Sequence, residues 1–176
     1  MTGREEDRQP QAEAPPWREA VPSDLRAIDL VARAVHPLLP ERPEVFAEKL
    51  RLFPPGCLVA ERGEEVVGYV LSHPWPCGAV PPLDHFLGTL PQGAACLFIH
   101  DVALMPGARG LGVGRSLLPR LDLVARRHGL GAMALVSVYG TERFWHGLGF
   151  ATEPDGLAEG YGPSARYMTR ALPPAP

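Results

Sequence analysis

The sequence has 176 residues, of which 45% are apolar, and it carries a formal net charge of −3 at pH 7. This length suits one globular domain with a full core and is too short for two domains of ordinary size. No apolar run is long enough to span a bilayer, and the negative charge gives no general attraction to nucleic acids. The charged N-terminus lacks the apolar core of a secretory signal, so we expect a cytoplasmic protein without a membrane or nucleic-acid partner.

The N-terminal third predicts a leader, a strand and two helices. Residues 1–16 combine charge, glutamine and proline with almost no bulky apolar side chain, which predicts disorder, and residues 17–21 predict a first strand. Ser23 or Asp24 is a suitable cap for a first helix, and Pro43 suits the first position of a second helix. The apolar positions that follow fall at helical spacing: Leu25, Ile28, Leu30, Val31 and Val35, then Val45, Phe46, Leu50 and Phe53.

A hairpin and a long loop come next. Residues 56–62 and 65–72 are apolar segments on either side of Gly63, a pattern typical of two strands joined by a tight turn. Residues 73–95 form a proline-rich segment, and a loop of that length in a compact domain is usually functional. Its apolar side chains favour packing over disorder: Trp75, Val80, Leu83, Phe86 and Leu87.

The centre of the chain predicts a buried strand, a glycine-rich turn and an amphipathic helix. Residues 96–105 are almost continuously apolar, interrupted by His100 and Asp101. An apolar stripe predicts the helix: Leu117, Leu118, Leu121, Val124 and Ala125. The histidine-glycine pair at 128–129 is a typical helix ending. Pro119 lies inside the helix, where it removes a hydrogen bond, so we expect a bend there.

The turn between this strand and this helix has the properties of an anion-binding site. Glycines at positions 110, 112 and 114 let the backbone turn its N–H groups inward, and the free N–H groups at the helix start point the same way. Arg109 and Arg115 add positive charge at its two ends. The Walker A loop requires glycine where Arg109 stands, and the dinucleotide-binding pattern requires glycine at Arg115 or Leu117. The pattern that remains is Arg109-x-x-Gly112-x-Gly114.

The C-terminal part predicts a strand at 132–138, a short helix at 141–148, and two closing strands at 150–153 and 165–171. The tail at 173–176 is expected to be frayed. The complete predicted order is βααβββαβαββ, which is an α/β (α+β) arrangement with a mixed sheet and helices on both faces.

Two motifs in this order resemble those of the GNAT superfamily of N-acetyltransferases. The Arg-x-x-Gly-x-Gly pattern that begins at Arg109, between a strand and a helix, resembles the acyl-CoA signature of that family. Residues 143–150, Arg-Phe-Trp-His-Gly-Leu-Gly-Phe, are similar to the family's Phe-Tyr-x-x-x-Gly-Phe ending and follow the strand at 134–138. Together with a weaker pattern upstream, the likeness extends over residues 17–172, which we interpret as a single GNAT domain.

The resemblance implies a mostly antiparallel sheet and an acetyl-CoA cosubstrate whose acetyl group moves directly to a primary amine of a small molecule or peptide, without a metal. In that family the pantetheine lies between two splayed strands, here those ending near Leu104 and Val138. The two N-terminal helices and the loop at 73–95 are expected to line the acceptor pocket, and a homodimer is common in the family. The acyl-CoA-binding positions that the resemblance implies are Val102, Ala103, Leu104, Arg109, Gly110, Leu111, Gly112, Val113, Gly114, Arg115, Ser116, Thr141 and Phe144.

Three residues are candidates for catalysis. His100 is the first candidate for the base that removes the amine proton, because histidine is largely neutral at physiological pH. It also resembles the histidine that arylalkylamine N-acetyltransferases carry on this strand, although a histidine satisfied within the core fits the sequence equally well. Asp101 points to the other side of an extended strand and is the second candidate. Trp145 stands where many relatives have a proton-donating tyrosine, so either another hydroxyl substitutes, with Tyr139 the nearest in sequence, or the thiolate leaves unassisted into solvent.

Two other functions fit the same residues. One is a non-catalytic acyl-CoA-binding regulatory domain, favoured by the missing tyrosine, and the other is a small α/β module for a different phosphate ligand. Several acidic residues lie in predicted loops, where a solvated charge is the ordinary role: Glu41, Asp84, Asp155 and Glu159.

The cysteines predict neither a zinc site nor a disulfide framework. Cys57, Cys77 and Cys96 lack the spacing of a zinc site, and an odd number in a chain without a secretory signal argues against disulfides. Cys57 and Cys96 lie in apolar strands, where a buried thiol is the expected state.

Overall fold

The structure is a computed structural model that describes residues 16–154 and 158–172. Apart from Pro16, the predicted leader lies outside the described residues, as does the predicted frayed tail. The helices and strands are β1 Trp17–Glu19, α1 Leu25–Val35, α2 Pro43–Leu52, β2 Cys57–Arg62, β3 Glu65–Trp75, β4 Cys96–Leu104, α3 Val113–Arg127, β5 Ala132–Ser137, α4 Glu142–His146, β6 Ala151–Thr152 and β7 Arg166–Ala171. This is the predicted order, so the expected fold class is confirmed.

The described strands form one mixed sheet in the spatial order β1-β2-β3-β4-β5-β7-β6. Neighbouring strands are antiparallel except β4 and β5, which are parallel. Their pairing runs from Cys96 and Ala132 to Ile99 and Leu135 and ends there, although β4 continues to Leu104. Because the two strands part beyond Ile99, a gap opens in the middle of the sheet, and the backbone groups of β4 on that side have no ladder partner.

Helices cover both faces of the sheet, as predicted. The helices α1 and α2 pack on one face, and α3 and α4 pack on the other, so that each face of the sheet buries its own apolar layer. The first layer includes Ile28, Val31, Phe46, Leu50, Val59, Tyr69 and Leu71. The second includes Leu97, Ile99, Leu117, Leu121, Met133, Leu135, Trp145 and Met168.

The starts of the first two helices follow their sequences, with two differences. Pro43 opens α2 as expected, since its fixed φ and missing N–H suit a first helical position. The carboxylate of Asp24 accepts the Val21 N–H at 2.8 Å and so caps a short 3-10 turn that precedes α1, rather than α1 itself. Leu30, expected on the apolar side of α1, is 61% exposed and lies on its solvent face.

The helix α3 begins and ends as its sequence predicts. Gly112 is its N-cap in the left-handed region, with φ of 77°, and the His128 N–H bonds back to carbonyls of the last turn. The helix continues through Pro119, and the expected bend stays a prediction. No helix of the described chain is both long and apolar enough to cross a bilayer.

The expectation that the cysteines form no disulfide is wrong. Cys77 is bonded to Cys96 with a Cα–Cα distance of 5.3 Å, whereas Cys57 is a buried free thiol as expected. The strand β3 extends to Trp75, three residues further than predicted, and the loop after it returns to the first residue of β4. That return brings two cysteines 19 residues apart into bonding distance, which an odd number of cysteines does not reveal.

Candidate active site

A cleft of about 850 Å³ lies where β4 and β5 part. It is lined by the end of β4, the glycine turn, the start of α3, the segment from β5 to α4, and the connection between α1 and α2. Thirteen predicted site residues line it: His100, Asp101, Val102, Leu104, Arg109, Gly110, Gly112, Val113, Gly114, Arg115, Tyr139, Thr141 and Phe144. Residues that are 44 positions apart in the sequence therefore share one cavity.

Three of the predicted residues do not line the cleft. Ala103 is buried against the layer formed by α1 and α2, because alternation along β4 turns it away from Val102 and Leu104. Leu111 packs against the core under α3. The hydroxyl of Ser116 donates to the Val113 carbonyl at 2.9 Å within its own helix.

Structural reasons explain why the turn requires glycine at positions 110, 112 and 114. Gly110 and Gly112 both have φ of 77°, a conformation that costs other residues roughly 1–2 kcal/mol. Gly114 lies in α3, where an added Cβ would come 2.7 Å from Cζ of Phe144. The first N–H groups of α3 have no partner within the helix and carry the positive end of its dipole. The turn thus presents donors to an anion in the cleft.

The arginines at the two ends of the turn have different roles. The Arg109 Nε donates to the Leu104 carbonyl at 3.1 Å and fixes the turn to the end of β4. Arg115 lies in the first turn of α3 and lines the cleft.

His100 and Asp101 both line the cleft because β4 contains a bulge. Leu71 pairs with Asp101, and the next residue of β3 pairs with Ile99, so His100 has no partner residue. An extra residue of this kind breaks strict alternation. The expectation that Asp101 points away from the side of His100 is therefore wrong.

His100 forms a buried pair with Glu41. Its Nε2 lies 3.0 and 3.1 Å from the two Glu41 oxygens, and the two side chains are 0% and 3% exposed. Burial by itself would raise the pKa of Glu41, but the hydrogen bond from His100 and the nearby positive charge of Lys49 bring this pKa below its usual value. Glu41 also accepts the Asp84 N–H at 2.8 Å. The expectation that Glu41 is a solvated charge is therefore wrong.

The other acidic residues of the predicted loops behave differently. Asp84 pairs with Arg42 at 3.0 Å and joins the long loop to the start of α2. Glu159 is exposed as expected, and Asp155 lies outside the described residues.

Asp101 belongs to a second carboxylate–histidine pair, which the sequence did not indicate. His36 Nε2 lies 3.0 Å from Asp101 Oδ1, and the Tyr69 hydroxyl donates to Asp101 Oδ2. Burial alone would lower the pKa of His36, but the hydrogen bond and charge of Asp101 raise this pKa above its usual value. His36 follows the last residue of α1, so its place in the cleft results from tertiary packing rather than from a local pattern.

The aromatic residues of the cleft give few free hydroxyls. Tyr139 is 43% exposed and stacks on His36 with 5.6 Å between ring centroids. Tyr161 is buried and its hydroxyl donates to the Pro81 carbonyl at 2.8 Å. Trp145 is buried beside Phe144 and Phe150.

Two further ionisable side chains lie behind His100. The ring of His73 has no exposed surface and lies 5.8 Å from that of His100, and burial lowers the pKa of His73 to about 3. Lys49, the only lysine of the sequence, is fully buried, and its Nζ has no hydrogen-bond partner among the described residues. Burial lowers the pKa of Lys49.

Among the residues that the structure describes, no group of three or more histidine, cysteine or acidic side chains is arranged to hold a metal ion.

A second cavity, of about 530 Å³, lies between the end of α1, the start of α2 and Asp84. The residues that line both cavities are His36, Leu39, Glu41 and Asp101. These four side chains therefore separate the cleft from a space under the first two helices.

Residues 22–150 match the acetyltransferase (GNAT) family. The chain belongs to this family. The resemblance seen in the sequence is thereby confirmed for the GNAT domain, whereas the likeness of His100 to the arylalkylamine enzymes stays a prediction. Membership implies acyl-CoA-dependent acyltransfer chemistry, and the glycine turn with its free N–H groups fits the acyl-CoA signature of a GNAT domain.

Solved structures agree on the GNAT fold. The GphF GNAT-like decarboxylase in complex with isobutyryl-CoA is 20% identical, with a TM-score of 0.73 over 90% of this chain and 100% of that one. The loading GNATL domain of CurA from Lyngbya majuscula is 16% identical, with a TM-score of 0.74 over 89% and 97%. The ribosomal-protein-S18-alanine N-acetyltransferase from Escherichia coli is 15% identical, with a TM-score of 0.65 over 92% and 96%. No curated protein matches in sequence.

Proposed function

We propose that this protein is an acetyl-CoA-dependent N-acetyltransferase that moves an acetyl group directly to a primary amine of a small molecule or peptide. The observation that carries the proposal is the junction of three features in one cleft. These are the glycine turn at the start of α3, the unpaired edge of β4, and the two carboxylate–histidine pairs at the side of α1 and α2.

The coenzyme is proposed to bind along the α3 side of the cleft. The diphosphate accepts hydrogen bonds from the N–H groups of the turn and of the first turn of α3, with Arg115 adding charge. The pantetheine lies along Val102 and Leu104, whose edge toward β5 has no ladder partner. A backbone N–H there stabilises the oxyanion that forms when the amine attacks.

The amine acceptor is proposed to reach the thioester from the side of the second cavity. An alkylammonium group, with a pKa near 10.4 as in lysine, must lose a proton before it can attack. His100 and Asp101 are the predicted groups for this step, and Tyr139 is the predicted donor to the thiolate. The carboxylates of Glu41 and Asp101 favour a cationic acceptor and disfavour a carboxylated acyl group, because like charges in a cleft repel.

The coenzyme site is tested with Gly112→Glu. A carboxylate at this position faces the diphosphate and adds a strained side chain, so the dissociation constant for acetyl-CoA should rise about 100-fold or more, which corresponds to roughly 3 kcal/mol. Calorimetry measures the affinity, and circular dichroism checks the fold.

The matched control is Gly129→Glu. Gly129 follows the other end of α3, has φ of 69° and does not line the cleft, so it carries the same strain and charge without the coenzyme contact. Affinity should stay at the wild-type level. Equal affinity in both variants would reject the glycine turn as the coenzyme site.

Catalysis itself is tested by thiol release from acetyl-CoA with phenethylamine, spermidine and a peptide with a free N-terminal alanine. The rival function, a non-catalytic acyl-CoA-binding domain, is favoured by Trp145 in the usual tyrosine place and by the occupied hydroxyl of Tyr161. Binding of acetyl-CoA without thiol release over this panel would support the rival. A thermal shift with ATP or NAD but not with CoA would instead support a module for another phosphate ligand.

The remaining expectations stay predictions. They are the cytoplasmic location, the absence of nucleic-acid and membrane partners, and a homodimer. A homodimer is measured directly by sedimentation equilibrium.

A further inference from the structure

Two histidines lie beside carboxylates at the wall between the cavities, and the described contacts fix which nitrogen of each carries hydrogen. His36 Nε2 faces two acceptors, Asp101 Oδ1 at 3.0 Å and the Val102 carbonyl at 3.3 Å. A nitrogen between two acceptors must be the donor, so the Nδ1 of His36 is the atom that binds or releases a proton. Its Nδ1 is buried and has no hydrogen-bond partner among the described residues.

The same reasoning places the hydrogen of His100 on its Nε2, but the surroundings of His100 differ from those of His36. Its Nε2 donates to Glu41, and its Nδ1 is likewise buried without a described partner. However, the His100 side chain is 0% exposed, and the rings packed against it, His73 and Phe98, do not line the cleft. The His36 side chain is 13% exposed and lines both cavities.

We propose that His36, oriented by Asp101 and stacked on Tyr139, is the general base for the acceptor amine, and that His100 is a positioning residue which holds Glu41. This inference rests on the proposed acyl transfer and names the group that performs its first step. His36 lines both cavities, and its orphaned Nδ1 gains a partner when an amine, or a water that bridges to the amine, enters beside the ring, which is the contact that a base must make.

The proposed step balances as follows. The ammonium group gives one proton to His36 Nδ1, and the freed lone pair forms the C–N bond at the thioester carbonyl. Collapse of the tetrahedral intermediate breaks the C–S bond, and the second proton of the nitrogen ends on the coenzyme A sulfur. His36 then releases its proton to solvent, so the net products are the amide, free coenzyme A and one proton.

The charged and titratable groups around His36 come from every element packed against it. Asp101 on β4, with Tyr69 behind it, and Glu41 from the connection after α1 supply negative charge. Tyr139 covers the ring, and the second cavity adds Arg33 of α1 together with the Arg42–Asp84 pair. Because the two nearest charged groups are carboxylates, His36 readily holds the proton that it takes from the amine.

The test compares His36→Gln, His100→Gln and His146→Gln with the best acceptor of the amine panel. His36→Gln should lower kcat/KM roughly 10²–10⁴-fold, the usual contribution of a general base, with unchanged acetyl-CoA affinity. In this variant kcat/KM should also keep rising with pH up to the pKa of the amine, because only the free amine then reacts, instead of levelling off once His36 has lost its proton. His146 is the matched control, since it is an exposed histidine beside the Glu142 carboxylate and outside the cleft. Its variant should keep wild-type kinetics.

A second acceptor separates a base from a merely structural residue. Methoxyamine is already neutral at pH 7 and needs no deprotonation before attack, so the loss in His36→Gln should shrink to within about threefold of wild type. A defect of equal size with both acceptors would overturn the proposal. So would a His36→Gln enzyme with wild-type rate and pH profile, and if kcat/KM of His100→Gln then no longer levels off with rising pH, His100 is the base.

The proposal and the proposed function fail in different ways. Absence of thiol release by the wild-type protein with every amine overturns acyl transfer and the role of His36 with it, whereas transfer that survives His36→Gln overturns His36 alone. Nitrogen NMR of labelled histidine, assigned by the signal missing in His36→Gln, should show hydrogen on Nε2 and titration at Nδ1. A neutral form with hydrogen on Nδ1 would also overturn the proposal.

Discussion

His73 is a histidine in the interior whose surroundings keep it neutral far below its usual pKa. It has no exposed surface, and its Nδ1 donates to the Pro74 carbonyl at 3.1 Å. Burial, followed by the nearby charge of His100, lowers its pKa to about 3. In the unfolded chain the same side chain takes up a proton near pH 6.5, so acid favours the unfolded state.

We therefore expect the free energy of unfolding to fall by about 1.6 kcal/mol between pH 6.5 and pH 5 through His73 alone. The direction of this change follows from the lowered pKa of His73. Its contribution to the free energy of unfolding is present above pH 6.5 and is lost as the pH falls toward 3. His36 has a raised pKa, so its contribution changes above pH 6.5 instead. Urea unfolding at the two pH values should show a flatter dependence in His73→Gln. The exposed His85→Gln is the control, and an equal slope in both variants would contradict the role of His73.

For individual residues, part of the candidate site could be predicted from the sequence. Most of the proposed coenzyme residues lie in one contiguous motif, which the sequence shows through Arg109, Gly112 and Gly114 read in order, and that these residues bind the coenzyme stays a prediction. Glu41 and His36 lie in an unremarkable proline-containing connection, and their partners are 59 and 65 positions away in the chain. Their pairing results from how α1 and α2 pack on β4, which no local pattern reports.

Among the elements, local patterns predicted the order of helices and strands because each signal is short-ranged. Glycine and proline mark the ends of β2, α2 and α3, and apolar spacing marks their buried sides. The bulge at His100 had no such signal, since it depends on the register between β3 and β4. A one-residue change of register decides that Asp101 reaches the cleft.

The element most open to test is α3, which contains Pro119 at its seventh position on an exposed face. Proline there leaves the carbonyl four residues earlier, that of Arg115, without its helical donor. Pro119→Ala should restore this hydrogen bond and raise the free energy of unfolding by about 1–3 kcal/mol, measured by urea denaturation.

The matched control for that change is Pro43→Ala. Pro43 occupies the first position of α2, where a missing N–H is harmless and a fixed φ is favourable. Replacing it should leave stability unchanged or lower it by less than about 1 kcal/mol. A gain at Pro43 equal to that at Pro119 would show that the helix position of the proline has no influence.

At the scale of the whole molecule, the long loop connects the two halves of the cleft wall. It brings Leu83 to the cleft and Asp84 to the second cavity, and its Pro81 carbonyl holds Tyr161. Glu48 of α2 accepts two backbone N–H groups of the same loop. Leu83 of this loop thus lines the cleft, whereas the role of the loop as a wall of an acceptor pocket stays a prediction. The Cys77–Cys96 disulfide closes the loop at its base.

Cys77→Ser should lower the free energy of unfolding by about 3 kcal/mol, because a bridge that closes a loop of this length removes that much chain entropy from the unfolded state. For a chain of this size the melting temperature should fall by roughly 6–12 °C. A phosphine reductant should lower the melting temperature of the wild-type protein to the same level and leave Cys77→Ser unchanged. Cys57→Ala, which removes the free thiol, should remain sensitive to the reductant.

Loosening the loop should also affect the two proposed substrates, the amine and acetyl-CoA, unequally. Leu83 and Asp84 lie on the side of α1 and α2, whereas the glycine turn lies at the start of α3. In Cys77→Ser we therefore expect KM for the amine to rise several-fold while KM for acetyl-CoA stays within about twofold of wild type. Equal rises in both constants would mean that the bridge supports the whole cleft rather than its acceptor side.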